Sequence, residues 1–253
     1  MHSLGSFVSR CKFMAFGVAG AATLMLPITA GAQVYRSDLL LPRTVILAEG
    51  AVSNPETVRL LAGLASIERD MMLGMLFLQD GLTSTIGSHF THPRVETWPG
   101  LKDGLVAAGV ADFENLLIAV EQATDKDAVT KAYTEANTAV LLAQAALHGS
   151  EKDQVLAMVE GVRNALARFN AAGPTEVVNY QDGWAGLMIE RGKVDLLMQS
   201  ADPAVAKSAT DMAMALDNVI LSMPDPAVTE PVTFDPAPVA DLLAQMESMA
   251  GSL

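Results

Sequence analysis

The sequence predicts an all-α protein, a multi-helix bundle of about seven or eight helices, from three observations. Apolar residues recur at spacings of three and four over long stretches after residue 52. Ser, Asn or Asp, often followed by Pro, stands where those stretches begin, and Gly or Pro stands where most of them end. No run of Val, Ile and Thr alternates for long enough to propose a sheet.

Residues 1–32 read as a secretory signal peptide. Arg10 and Lys12 form a positive start, residues 13–26 an apolar centre, and Ala30-Gly31-Ala32 a cleavage pattern that would leave Gln33 as the new N-terminus. The expected location is therefore the periplasm. The single cysteine, Cys11, lies in this leader, so residues 33–253 would hold no disulfide, no thiolate chemistry and no cysteine-bound metal. A core alone must hold them, and a chain of this length can build one. The formal charge is −13, and loss of Arg10 and Lys12 makes it more negative by two. Such an acidic chain is a poor partner for nucleic acid. No apolar run after the leader has the length of a membrane span.

The elements of the single helical domain, residues 33–253, follow in order. Residues 33–52 carry Leu39-Leu40-Leu41-Pro42 and Val45-Ile46-Leu47 without helical period and read as an extended arm. Helix one starts at Pro55, capped by Ser53 or Asn54 and favoured by Glu56. Val58, Leu61, Ala65, Met72, Met75 and Phe77 supply its apolar surface, and Gly81 stops it. Pro93 begins a shorter helix, interrupted near Pro99-Gly100 and closed by Gly109. Asp112 caps the next, which buries Phe113, Leu116, Leu117 and Val120. Thr124 and Asp125 precede a long helix over 128–148 that Gly149 terminates. Ser150 with Asp153 makes an acidic capping box for a helix reaching Ala172.

The pattern stays helical over 175–199, although Gly183, Gly186 and Gly192 each weaken it by about 1 kcal/mol relative to alanine. Their small size would let neighbouring helices approach closely. Asp202-Pro203 opens a helix running to Met223. Residues 224–238 hold five prolines and read as an extended strap. Asp235-Pro236 then caps a last helix over 239–250.

The chemistry concentrates between Ser88 and Trp98, Ser-His-Phe-Thr-His-Pro-Arg-Val-Glu-Thr-Trp. On a continuous helix His89, His92 and Glu96 fall on one face, at i, i+3 and i+7. Two imidazoles and a carboxylate suit a divalent transition metal such as iron, zinc or copper. Pro93 opposes that reading, because it disfavours helix at His92 and would put Glu96 in the first turn of a separate element. Further ligands would come from facing helices: Asp70 or Glu68 on helix one, Asp182 or Glu190 near Trp184. The competing reading makes both histidines structural, bonded to backbone at a helix corner. Met71, Met72 and Met75 fit core filling better than thioether ligation of copper. His148, in a last helical turn, suits the helix dipole better than a metal.

Residues Gly74, His89-Phe90 and the His-Phe-x-His-Pro-x-x-Glu run, together with Tyr180-Gln181-Asp182, resemble a group of exported bacterial helical proteins without an assigned activity. In that pattern the position of Asp70 is often histidine, and this chain departs there. A looser similarity is to the imelysin-like periplasmic proteins, exported helical bundles associated with iron uptake and marked by Gly-x-His-x-x-Glu. Here Gly87-Ser88-His89 is followed at that spacing by His92, so the comparison is one of architecture and brings no site residues with it.

No phosphate loop, nucleophile elbow, zinc-protease helix or haem-attachment motif occurs. The expected function is non-enzymatic binding, of a divalent metal or small ligand through His89, His92, Glu96 and Asp70. The alternative is an interaction protein that holds an envelope partner in a helical groove, with the strap across it.

Overall fold

Helix α1, Pro55–Gln79, is the element against which most of the others pack. A computed structural model describes residues 53–79, 89–172, 177–227 and 232–253; the predicted leader and N-terminal arm lie outside the described residues, as does Gly81. Asn54 caps α1, its Oδ1 accepting the N–H groups of Glu56 (3.0 Å) and Thr57 (3.4 Å). Leu60, Leu64, Ile67, Met71, Leu73 and Phe77 are all buried. Val58, Met72 and Met75, expected on the apolar stripe, are only partly so. The helix touches neighbours on several sides, so no single stripe describes it.

The chain is helical from His89 through to Ala107. A π-turn, Pro93–Thr97, runs straight into α2, Trp98–Ala107. The break expected at Pro93 and the interruption near Pro99 are both absent. His92 has helical angles (φ −54°, ψ −45°), and the Trp98 N–H reaches back five residues to the Pro93 carbonyl. Gly109, at φ +83°, closes α2, and the Val110 N–H bonds the Leu105 carbonyl at 2.9 Å.

Five further expected helices are present: α3 (Glu114–Gln122), α4 (Lys126–Ala146), α5 (Glu151–Ala171), α6 (Val177–Leu197) and α7 (Pro203–Ser222); α8 (Ala237–Ser252) ends the chain. Among the described residues there is no strand, and the all-α class holds. Asp112, Asp125, Asp202 and Asp235 each accept a backbone N–H at a helix start, as their positions predict. At the end of α4 it is His148, not Gly149, that takes the left-handed conformation (φ +46°). Gly149 serves instead to admit Leu61, whose Cδ1 would lie 2.9 Å from a β-carbon there.

Asp153 does more than close its capping box. Its Oδ2 accepts the Ser150 N–H (3.1 Å) and hydroxyl (2.9 Å), while Oδ1 accepts the Asn54 N–H (2.8 Å). One buried carboxylate thus ties the starts of α1 and α5 together. Asp153→Ala should lower unfolding stability by roughly 3 kcal/mol, since it strands donors that a charged acceptor satisfies. Urea denaturation measures this; a loss within experimental error would contradict the assignment.

Two apolar cores form. One joins α1, the π-turn segment, α2, α3 and α4, around Trp98, Leu105 and Val140. The other joins α5, α6, α7 and α8, around Val162, Leu187 and Leu216. A small cluster of Leu73 and Phe77 from α1 with Trp184 and Ala185 from α6 marks the seam. The strap belongs to the second core: Phe234 stacks near Phe169 (5.0 Å) and Tyr180 (5.9 Å). The Tyr180 hydroxyl and the Gln181 amide donate to the carbonyls of Pro224 (2.6 Å) and Pro226 (2.9 Å). No described helix is long and apolar enough to cross a membrane.

Candidate metal centre

Asp70 sits on α1 and Asp182 on α6, both at the seam between the cores and both buried. The helical segment that carries His89 crosses α1 because Gly74 leaves room for Phe90. A β-carbon at Gly74 would fall 2.4–2.7 Å from three atoms of that ring. With Phe90 seated, His89 lies inside, 5.4 Å from the Phe77 ring and 5.7 Å from the His92 ring (centroid distances).

Asp70, His89 and His92 each offer a ligand atom within 4.8 Å of the others. Asp182 Oδ1 stands 3.9 Å from His89 Nδ1. That distance is too long for a hydrogen bond, and the imidazole is neutral at ordinary pH: burial pushes His89 down to about 4, against the pull of Asp182. Asp70 is pushed up to about 6, mainly by burial, although Arg69 opposes the shift. The Arg69 guanidinium holds Asp70 Oδ1 through Nε (2.8 Å) and Nη2 (2.7 Å). Asp70 Oδ2, His89 Nδ1 and Asp182 Oδ1 have no hydrogen-bond partner, although all three are buried. Such groups are rare in native proteins and are normally satisfied.

Glu96 does not join this group as closely. Its Oε1 lies 3.8 Å from His92 Nε2, and its side chain is 55% exposed. It stands at the mouth of the site. Asp182 takes the inner place instead, its Oδ2 turned toward Arg168 at the rim (3.6 Å). Sequence reasoning named Asp182 among four possible additional ligands without separating it from the rest. It missed Arg69, which could have been suspected because it adjoins Asp70.

The donor set fits a small divalent ion. Nitrogen and oxygen ligands bind zinc at about 2.0–2.2 Å, which places tetrahedral donors roughly 3.4 Å apart. Asp70, His89 and His92, whose ligand atoms lie within 4.8 Å of one another, need close by at most about 1.4 Å to reach that spacing, within reach of side-chain rotation. The two aspartates stand against Arg69 inside and Arg168 at the rim, with Glu96 adding a negative charge at the mouth. Neutral imidazole at His89 is the ligating form. The methionines of α1 take no part: Met71 is in the first core, Met75 packs on it, and Met72 packs on the seam.

Glu68 and Glu190, the other two acids considered, form a separate pair. Glu68 Oε2 accepts the Gln144 amide (2.7 Å). Lys193 Nζ lies 3.6 Å from Glu68 and 3.9 Å from Glu190. Glu190 is 2% exposed, and burial pushes its carboxyl up to about 7, which Lys193 resists and Glu68 reinforces. The native state then keeps a proton that the unfolded chain releases near 4.5. Its stability contribution is greatest below about pH 4.5 and falls as pH rises through about 7. Relative to the natural protein, Glu190→Gln should gain on the order of 3 kcal/mol between pH 4 and pH 8. Denaturation midpoints at both pH values test this, and an equal difference at each would refute it.

The chain matches no family model, no curated protein and no solved structure.

Proposed function

We propose that this is an exported, non-enzymatic protein of the periplasm that binds a divalent transition-metal ion, iron, zinc or copper, through Asp70, His89, His92 and Asp182. The observation that carries the reading is the convergence of three buried, unpartnered donor atoms, Asp70 Oδ2, His89 Nδ1 and Asp182 Oδ1, beside a second histidine. Leaving such atoms unsatisfied costs about 1–3 kcal/mol each, and an ion would satisfy all three at once. Glu96, near the mouth, would serve as an outer carboxylate that meets His92 and draws cations inward. That the sequence carries no phosphate loop, nucleophile elbow, zinc-protease helix or haem-attachment motif supports binding rather than turnover.

The test is elemental analysis of protein purified from the periplasm without a histidine tag or chelator. About one equivalent of a single transition metal per chain is the expected result. Metal at background level, in protein that also takes up no zinc or ferrous ion on titration, would end the proposal.

A further inference from the structure

The cation site has a neighbour that it does not use. A narrow cleft between α1, α5 and α6 is lined by Ser66, Arg69, Asn164, Asp182 and Glu190. It therefore touches the inner carboxylate of the site at one end and a second buried carboxyl at the other. Asp182 and Glu190 are eight residues apart on α6, about 12 Å along its axis. Glu190 Oε2 has no partner. Its Oε1 lies over Gly161, where a β-carbon would come within 2.0 Å of it. The charged groups near it are Glu68 from α1 and Lys193 from its own helix, with Arg69 of α1 in the same cleft; from α5 it meets Gly161, and Asn164 shares the cleft. A buried carboxyl this isolated is easily held neutral, and it ionises readily once positive charge arrives nearby.

Resting on the cation reading above, we propose that Glu190 is the proton-exchanging partner of the site: a divalent ion entering at Asp70, His89, His92 and Asp182 expels the Glu190 proton. The step balances simply. One M2+ enters, the Glu190 carboxyl O–H bond breaks with its electron pair left on oxygen, and one H+ passes to water or buffer. A doubly charged ion about 12 Å away, at an effective dielectric of about 20, weakens proton binding at Glu190 by roughly 10–100-fold. Linkage is reciprocal, so the same factor strengthens metal binding when Glu190 is already ionised. The protein then takes up metal as a metal-for-proton exchanger, holding it more tightly as pH rises from 6 to 8 and yielding it in acid.

The experiment is calorimetric titration of zinc chloride alone into the purified protein at pH 6.5, in two buffers of different ionisation enthalpy. The difference counts the protons released. The natural protein is expected to release about 0.5–0.7 proton more than Glu190→Gln, and to lose roughly five- to ninefold more zinc affinity than the variant does between pH 8 and pH 6. Equal proton release by two proteins that both bind zinc overturns the exchange and leaves the metal site standing. Failure of the natural protein to bind zinc overturns both. If Glu190→Gln does not fold, carbon-13 NMR of glutamate carboxyls in the natural protein decides the matter. One resonance should titrate near neutrality without zinc and stand ionised at pH 6 with it; a titration that zinc does not move overturns the exchange.

Discussion

The double variant His89→Ala/His92→Ala is expected to lose zinc binding altogether in equilibrium dialysis, while remaining folded. Loss of an outer-shell partner alone typically weakens a metal site about 10–100-fold, and here two direct ligands go together. Single substitutions should grade by position. Asp70→Asn and Asp182→Asn remove inner charges next to the ion and should each cost more than about tenfold. Glu96→Ala, whose side chain is half exposed at the mouth, should cost no more than about threefold, as expected for a solvated charge. The metal-free double variant should keep a melting temperature within a few degrees of the natural protein. Its missing polar atom His89 Nδ1 had no partner to lose, which offsets the space left beside Phe77. If Glu96→Ala proved as damaging as His89→Ala, the ion would have to sit at the mouth and the inner site would be wrong.

Gly74→Ala is expected to do harm out of proportion to its size. The added carbon would meet the edge of the Phe90 ring at 2.4–2.7 Å, below any real contact, so the helical segment carrying His89 must shift away from α1. Overpacking of this kind costs about 1–3 kcal/mol. The same shift should weaken zinc binding at least tenfold, because the imidazole is displaced by a fraction of an ångström or more from its partners on α1 and α6. Gly192→Ala is the control. It lies in α6 with nothing within 4 Å of the added carbon, so it should stabilise by up to about 1 kcal/mol through helix propensity alone and leave zinc affinity unchanged. Thermal melts and zinc titrations on the pair separate crowding from a generic response to alanine. Equal behaviour of the two would refute the role given to Gly74.

The control also marks a limit of what the residues disclose. Gly183, Gly186 and Gly192 look alike as small residues in a helical pattern, yet only the first two meet a neighbour: Gly183 faces the Phe169 ring, and Gly186 faces Ala165. Which glycine is covered depends on partners remote in sequence. Helix starts were legible because capping is local, decided by Asn54, Asp125, Ser150 and Asp202 within three residues of the bond they make. The π-turn was not legible: a proline signals a helix boundary, yet here the helix runs through it, with the wide turn on its far side. Of the site, the two histidines and Asp70 could be read from residue type and spacing. The choice of Asp182 over Glu68 and Glu190 could not. It follows from the rotation of α6 against α1, which no pattern within either helix encodes.

The π-turn also bears on how such a chain can change by descent. A π-turn is equivalent to an α-helix with one residue too many. Dropping one residue from Pro93–Thr97 would restore the ordinary coil, and Trp98 could keep its place in the first core. His89 and His92 would keep their place against Asp70, because the wide turn already absorbs the extra residue and the helix on either side stays in register. A single codon can therefore be gained or lost in this segment while the bundle and the place of both histidines persist.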